Sequence, residues 1–306
     1  MLIFPSVFGA YTDIPYKIFE DAHIEYVKSD MHPESESDLI SCLQGFDGTI
    51  LGLEHITRRV MESCPQLKAV AKYGVGLDNV DCAAAKELGI QVVNTPGANA
   101  DSVADLTFGM MIDLARSISV GNRDLKSGKW KRYKGYSVGG ATIGIIGMGA
   151  IGKCLARRAK GFEMKILGYD IFWDEAFAKE YGVQKSTLEE IYRESDFISV
   201  HVSLDETTRD MISTKEFKMM KSTAIVINCA RGGIVNEKDL YTAVKDGIIA
   251  GVGLDAYCEE PLPADSPLLT LDNIIVAPHM GASAVSAANN MSIMSAQNIV
   301  TALNAG

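Results

Sequence analysis

The chain has 306 residues, 47% of them hydrophobic and 22% charged, enough for two domains at roughly 150 residues each and too well endowed with apolar residues for a disordered or disulfide-stapled chain. Lys and Arg number 29 against 39 Asp and Glu, a formal charge of −10 with no long basic run, which argues against nucleic acid or an anionic membrane as partner. No stretch reaches the roughly 18 apolar residues of a membrane helix, and the first residues lack the basic start and long apolar run of a signal peptide, so a cytoplasmic protein is expected. The six cysteines form no C-x-x-C pair and do not cluster with the five histidines, so no metal site is expected.

In chain order, β-rich runs at 2–5, 23–27, 49–53, 67–73 and 90–94 alternate with helical patterns, the signature of βα units on a parallel sheet. A longer helix is predicted over 102–117. Ser102-Val-Ala-Asp105 at its start has the form of a capping box, which makes Asp105 a cap. After a polar stretch at 121–140, a second array offers strands at 141–147, 165–170, 196–202, 224–230, 249–255 and 273–278, nearly continuously apolar as strands covered on both faces should be. A last helical pattern at 283–304 is expected to pack back on the first domain. The fold class is therefore α/β, with two doubly wound parallel-sheet domains and a ligand-binding cleft between them.

At the start of the second array, Gly147-Met-Gly149-Ala150-Ile151-Gly152 joins a strand to a helix. The first glycine permits the tight turn, the second lets a pyrophosphate approach the backbone, and the third lets the helix pack against the strand. Asp170 ends the next strand about 18 residues beyond Gly152, close to the spacing of about 20 at which an acid binds the ribose hydroxyls. A carboxylate there repels a 2′-phosphate, and Ile171-Phe172-Trp173 supply no arginine to bind one. NAD is favoured over NADP.

Three polar residues fall just past later strands of the second array: Arg231 before Gly232-Gly233, Glu260 before Pro261, and His279 after Pro278. Singly, each reads as a surface cation, a loop acid and a strand-end histidine. Together they form a chemical set. A guanidinium holds a carboxylate through two hydrogen bonds, an imidazole exchanges a proton near neutral pH, and a carboxylate beside the imidazole fixes its tautomer. Hydride transfer at a 2-oxo acid requires such a set.

In these residues the chain resembles the D-isomer-specific 2-hydroxyacid dehydrogenases, and within them the short forms similar to D-3-phosphoglycerate dehydrogenase. The likeness runs through Lys72-Tyr-Gly-Val75-Gly76-Leu-Asp-Asn-Val-Asp81, Asn94-Thr-Pro-Gly-Ala-Asn-Ala-Asp-Ser-Val-Ala-Asp105, Asn228-Cys-Ala-Arg231, Gly253-Leu-Asp255, Glu259-Glu260-Pro261 and Pro278-His279-Met-Gly-Ala-Ser283. The resemblance implies a flavodoxin-like substrate domain, 1–99 plus 283–306, and a Rossmann NAD-binding domain, 100–282. It implies Arg231 on the substrate carboxylate and carbonyl, His279 as proton donor or acceptor, and Glu260 as the partner of His279. Val75 and Gly76 would receive the substrate carboxylate through their backbone. Ala150, Ile151, Thr208, Cys229, Ala230, Arg231, Asp255, His279, Gly281 and Ala282 would line the cofactor, beside Gly147, Gly149, Gly152 and Asp170. Dimers through the cofactor domains are implied as well.

The sequence departs from the family pattern at Asp105, commonly glutamate, at Ser203 in His201-Val202-Ser203, commonly proline, and at Ala284, commonly threonine. None of these touches the chemical set. The length implies no appended regulatory domain. Substrate choice stays open: Lys72 matches a basic position of phosphoglycerate-type relatives and suits a phosphate, whereas Glu54 suits a hydroxyl. Hydroxypyruvate, 3-phosphohydroxypyruvate, glyoxylate and a sulfonated analogue all fit. The alternative from another class is an NADH-sensing binding module of the C-terminal-binding corepressor type, against which stands the absence of an evident peptide-recruitment extension.

Overall fold

The computed structural model describes residues 1–31 and 33–305; Gly306, the end of the expected span 283–306, lies outside the described residues. The chain forms two compact units, Met1–Asn99 with the segment from Ala282 onward, and Ala100–Gly281. The first begins with β1 (Leu2–Ile3), α1 (Ile14–Asp21), β2 (Val27–Lys28), α2 (Glu36–Leu43), β3 (Gly48–Leu51), α3 (Arg58–Ser63), β4 (Ala69–Lys72), α4 (Cys82–Glu87) and β5 (Gln91–Val93). Its sheet is parallel throughout, in the order β2-β1-β3-β4-β5, one of the two common doubly wound orders. β3 is buried along its whole length, as a central strand with helices on both faces must be.

The edge strand β2 is shorter than the run at 23–27 predicts. His23 adopts a left-handed φ of 56°, and the Ile24 N–H donates to the Phe19 carbonyl at 2.9 Å. Those residues close the end of α1, so pairing starts only at Val27.

The second unit contains α5 (Ala100–Arg116), α6 (Ile118–Lys126), β6 (Thr142–Ile146), α7 (Ala150–Gly161), β7 (Lys165–Tyr169), α8 (Glu175–Tyr181), β8 (Val183–Lys185), α9 (Leu188–Glu194), β9 (Phe197–Val200), α10 (Thr214–Phe217), β10 (Ile225–Asn228), α11 (Glu237–Lys245), β11 (Gly251–Leu254) and β12 (Ile274–Val276). The order is β12-β11-β10-β9-β6-β7-β8, again all parallel. Strand order reverses between β6 and β9, the switch point where doubly wound sheets bind ligands.

Three details differ from the sequence expectation. β8 carries a single buried residue, Val183, too little apolar signal for a strand to be read. Ser117 takes a left-handed φ of 53° and separates α6 from α5. Asp105 is no cap, because α5 starts at Ala100 and places it inside the helix; its carboxylate instead pairs with Arg158 of α7 at 2.7 Å.

The last helix, α12 (Val285–Asn304), completes the first unit. Ala288, Met291, Ser295, Ile299 and Ala302 recur at three- and four-residue steps and form its buried face. Ile299 and Ala302 join Ile3, Phe8, Phe19 and Ile50 in one apolar cluster. Ile299 is fully buried, so Ile299→Ala is expected to cost about 2–5 kcal/mol through lost burial and the cavity left behind; calorimetry should show a lowered unfolding transition.

Candidate active site

The glycine turn follows β6, buried at the centre of the second sheet. Gly147 has a left-handed φ of 98°, and a Cβ on it would lie 2.6 Å from the His201 carbonyl carbon. One on Gly152 would lie 2.1 Å from the Gly147 carbonyl oxygen. Over Gly149 nothing stands within 4 Å of where a Cβ would be, so the backbone is open there to a close-approaching group. The first N–H groups of α7 have no intrahelical acceptors, and they carry the positive end of the helix dipole. Asp170, just past β7, accepts the Met148 N–H at 2.6 Å and the Phe172 N–H at 2.8 Å. Turn and carboxylate are thus tied together, and an open, donor-rich turn beside a fixed acid fits a dinucleotide.

The chemical set lies on the carboxyl ends of β10, β11 and β12. Asn228, buried at the end of β10, folds the chain back: its amide donates to the Arg231 carbonyl at 2.8 Å and its Oδ1 accepts the Ala230 N–H at 3.1 Å. Arg231 is half-buried, and its Nη1 donates to the Ala230 carbonyl at 2.8 Å. A Cβ on Gly232 would fall 1.9 Å from the Tyr257 carbonyl carbon, so only glycine lets the arginine loop lie against the segment after β11. Cys229 and Ala230 are buried behind it, and burial pushes the Cys229 thiol up to about 12.

Asp255, directly after β11, has 2% of its surface exposed. Its two oxygens accept the Met280 N–H at 2.8 Å and the Gly281 N–H at 2.7 Å. Burial pushes this carboxyl above the ordinary range, and the two donors pull it part of the way back. The Tyr257 hydroxyl lies 2.8 Å from the Ala277 carbonyl and 3.1 Å from that of Leu254, joining the ends of β11 and β12. The turn so held carries His279 in a left-handed conformation, φ 49°. His279 Nδ1 meets Glu260 Oε2 at 2.7 Å, and the other Glu260 oxygen accepts the Tyr257 N–H at 3.0 Å. The carboxylate fixes the imidazole through Nδ1, and about half of the histidine side chain is exposed.

His201, directly after β9, stands in a different setting. Burial pushes it down to about 3, and Nε2 is 2.8 Å from the Ser199 hydroxyl while Nδ1 is buried without a partner among the described residues. Thr208 donates to the Ser203 carbonyl at 2.7 Å and accepts the Asp205 N–H at 2.8 Å, which fixes its hydroxyl within the turn after β9. Ala282 clusters with the first unit. Among the described residues no group of three or more His, Cys, Asp or Glu is arranged to hold a metal, and no helix is long and apolar enough to cross a membrane.

In the first unit, Val75 and Gly76 follow β4 in an exposed loop. The Lys72 ammonium donates to the Gly52 carbonyl and to Asn79 Oδ1, the latter at 3.1 Å. Glu54 accepts the Gly52 N–H at 2.7 Å, and Asn79 donates to the Glu54 carbonyl at 2.6 Å. Lys72 and Glu54 therefore share one loop network. The supporting roles of Asn228 and Tyr257 escaped sequence reasoning, although a polar residue closing an apolar strand and an aromatic just beyond another were visible signals.

Residues 108–281 match the family model described as D-isomer specific 2-hydroxyacid dehydrogenase, NAD binding domain. A glyoxylate reductase of Korarchaeum cryptofilum is 42% identical over 291 residues, 93% of this chain and 87% of that protein. A D-3-phosphoglycerate dehydrogenase of Methanocaldococcus jannaschii is 47% identical over 231 residues, 74% of this chain and 44% of that one. Among solved structures, a Thermus thermophilus protein superposes with a TM-score of 0.89 at 29% identity, over 100% of this chain and 97% of that one. The chain belongs to the D-isomer specific 2-hydroxyacid dehydrogenases, NAD-dependent oxidoreductases that interconvert a D-2-hydroxy acid and its 2-oxo acid.

Proposed function

We propose that His279 is the proton donor of 2-oxo acid reduction, oriented by Glu260, and that the carboxylate–imidazole contact of 2.7 Å is the observation carrying this reading. NADH, when bound, supplies the hydride that reaches the carbonyl carbon. Glu260 holds Nδ1 and stabilises the protonated ring, so Nε2 delivers its proton to the carbonyl oxygen. Arg231 holds the substrate carboxylate and polarises the carbonyl, aligned by the Asn228 turn. In the first unit, the Val75 and Gly76 N–H groups are donors for a substrate carboxylate. The glycine turn, with Ala150 and Ile151, cradles the pyrophosphate; Asp170 binds the ribose hydroxyls and selects NAD against NADP.

The substrate is a small 2-oxo acid without a phosphate, glyoxylate or hydroxypyruvate. Two observations support this: the Lys72 ammonium is engaged by the Gly52 carbonyl and the Asn79 amide, and Glu54 puts a carboxylate in the same loop. Relatives named glyoxylate reductase point the same way. The enzyme is cytoplasmic and a homodimer. Dimerisation uses the stretch around α6, where Ile118, Leu125 and Tyr136 are exposed and Trp130 is 83% exposed.

His279→Asn is expected to lower kcat by about 10²–10⁴-fold with NADH affinity nearly unchanged; full activity in that variant would end the assignment. In an NADH-oxidation assay across 2-oxo acids, glyoxylate and hydroxypyruvate should outperform 3-phosphohydroxypyruvate. Repeating it with NADPH should give little rate, and a preference for NADPH would overturn the role of Asp170. Trp130→Asp should shift the sedimenting species from dimer to monomer, and a wild-type monomer at micromolar concentration excludes the proposed interface.

A further inference from the structure

We propose that Asn94 and Thr95 are positioning residues that aim the Val75 and Gly76 N–H groups at the substrate carboxylate; the inference rests on the assignment of that backbone to the carboxylate. Val75 and Gly76 lie in a loop, and among the described residues neither N–H makes a hydrogen bond. The carbonyls that precede them are held firmly. The Gly74 carbonyl accepts the Thr95 N–H and the Thr95 hydroxyl, each at 2.9 Å. The Val75 carbonyl accepts the Asn94 amide at 2.6 Å.

A trans peptide is planar, with its C=O and N–H pointing in opposite directions. The only cis bond among the described residues is Glu260-Pro261, so both of these peptides are trans. Fixing the Gly74 carbonyl therefore fixes the direction of the Val75 N–H, and fixing the Val75 carbonyl fixes that of the Gly76 N–H. The two anchors are adjacent in the chain, so they draw both carbonyls to the end of β5 and turn both N–H groups to the opposite side. Successive N–H groups facing one way form an anion-binding concavity.

The anchors are themselves fastened. Thr95 is fully buried. The Asn94 carbonyl accepts the Asn298 amide of α12 at 2.8 Å. Gly74 has a φ of 142°, a conformation side-chain-bearing residues rarely adopt, and its own N–H donates to the Thr95 hydroxyl at 3.1 Å. Neither anchor touches the carboxylate in this scheme; each acts through a backbone carbonyl.

The test uses Asn94→Ala, at a partly exposed position, and Thr95→Val, which keeps the shape and removes the hydroxyl, with Thr95→Ser as the variant that keeps it. Steady-state kinetics with glyoxylate and NADH, inhibition by oxalate and fluorescence titration of NADH are measured for each. Asn94→Ala and Thr95→Val should raise the KM for glyoxylate and the inhibition constant of oxalate by about 10- to 100-fold, as expected when hydrogen bonds to a charged group are misaimed. NADH affinity should stay at the wild-type value, and Thr95→Ser should behave as wild type. Wild-type KM and oxalate inhibition in both Asn94→Ala and Thr95→Val would overturn the proposal, as would a parallel loss of NADH affinity. Failure of the underlying reading has a different signature: Gly76→Pro, which removes the Gly76 N–H itself, would then leave the KM for glyoxylate and oxalate inhibition at their wild-type values.

Discussion

The buried carboxylate of Asp255 is the interaction on which the chemistry of the second unit depends. It follows β11 directly and binds two consecutive N–H groups of the turn after β12. A parallel strand delivers its chain to the rim of the sheet but does not say where the next residues go. Here an acid accepting two backbone donors gives that instruction, and burial without those donors would be costly. His279 is held in a left-handed conformation by the same turn, and Tyr257 ties the two strand ends together beneath it. Glu260 then needs only a short loop to reach the imidazole. The order of events is structural first and chemical second: strand register, then turn, then side-chain contact.

The alternation of βα units was legible because parallel strands covered on both faces are apolar throughout. β3, β9, β10 and β11 are buried at every position, and the run at each is unmistakable. Signals failed where the local pattern served two purposes. The β-rich run at 23–27 closes α1 through Ile24 before it pairs as a strand. Asp105, read as a cap, answers to Arg158 across a helix pair, a partner 53 residues away that no local pattern reveals. β8 carries too few buried residues to announce itself.

Of the candidate site, the residues with a chemical signature were readable: the glycines, Asp170, Arg231, Glu260 and His279. Those that act through the backbone were not. Asn228, Tyr257, Asn94 and Thr95 bond main-chain groups; a polar residue or an aromatic at a strand end marks the place, but no residue type or spacing names the main-chain group it bonds. The division follows from what sequence encodes directly. Functional groups are written in the alphabet, whereas the direction of an amide is written only in the fold.

The placement of α12 has a consequence for how the molecule is made. Ile299 and Ala302 form one wall of a core whose other walls are Ile3, Phe8, Phe19 and Ile50. As the chain leaves the ribosome, the second unit is complete once Gly281 has emerged, while the first ninety-nine residues still present an uncovered apolar surface. The first unit, begun before the second, is thus finished after it, and the exposure of its first ninety-nine residues on the nascent polypeptide lasts as long as the translation of the segment between them and α12.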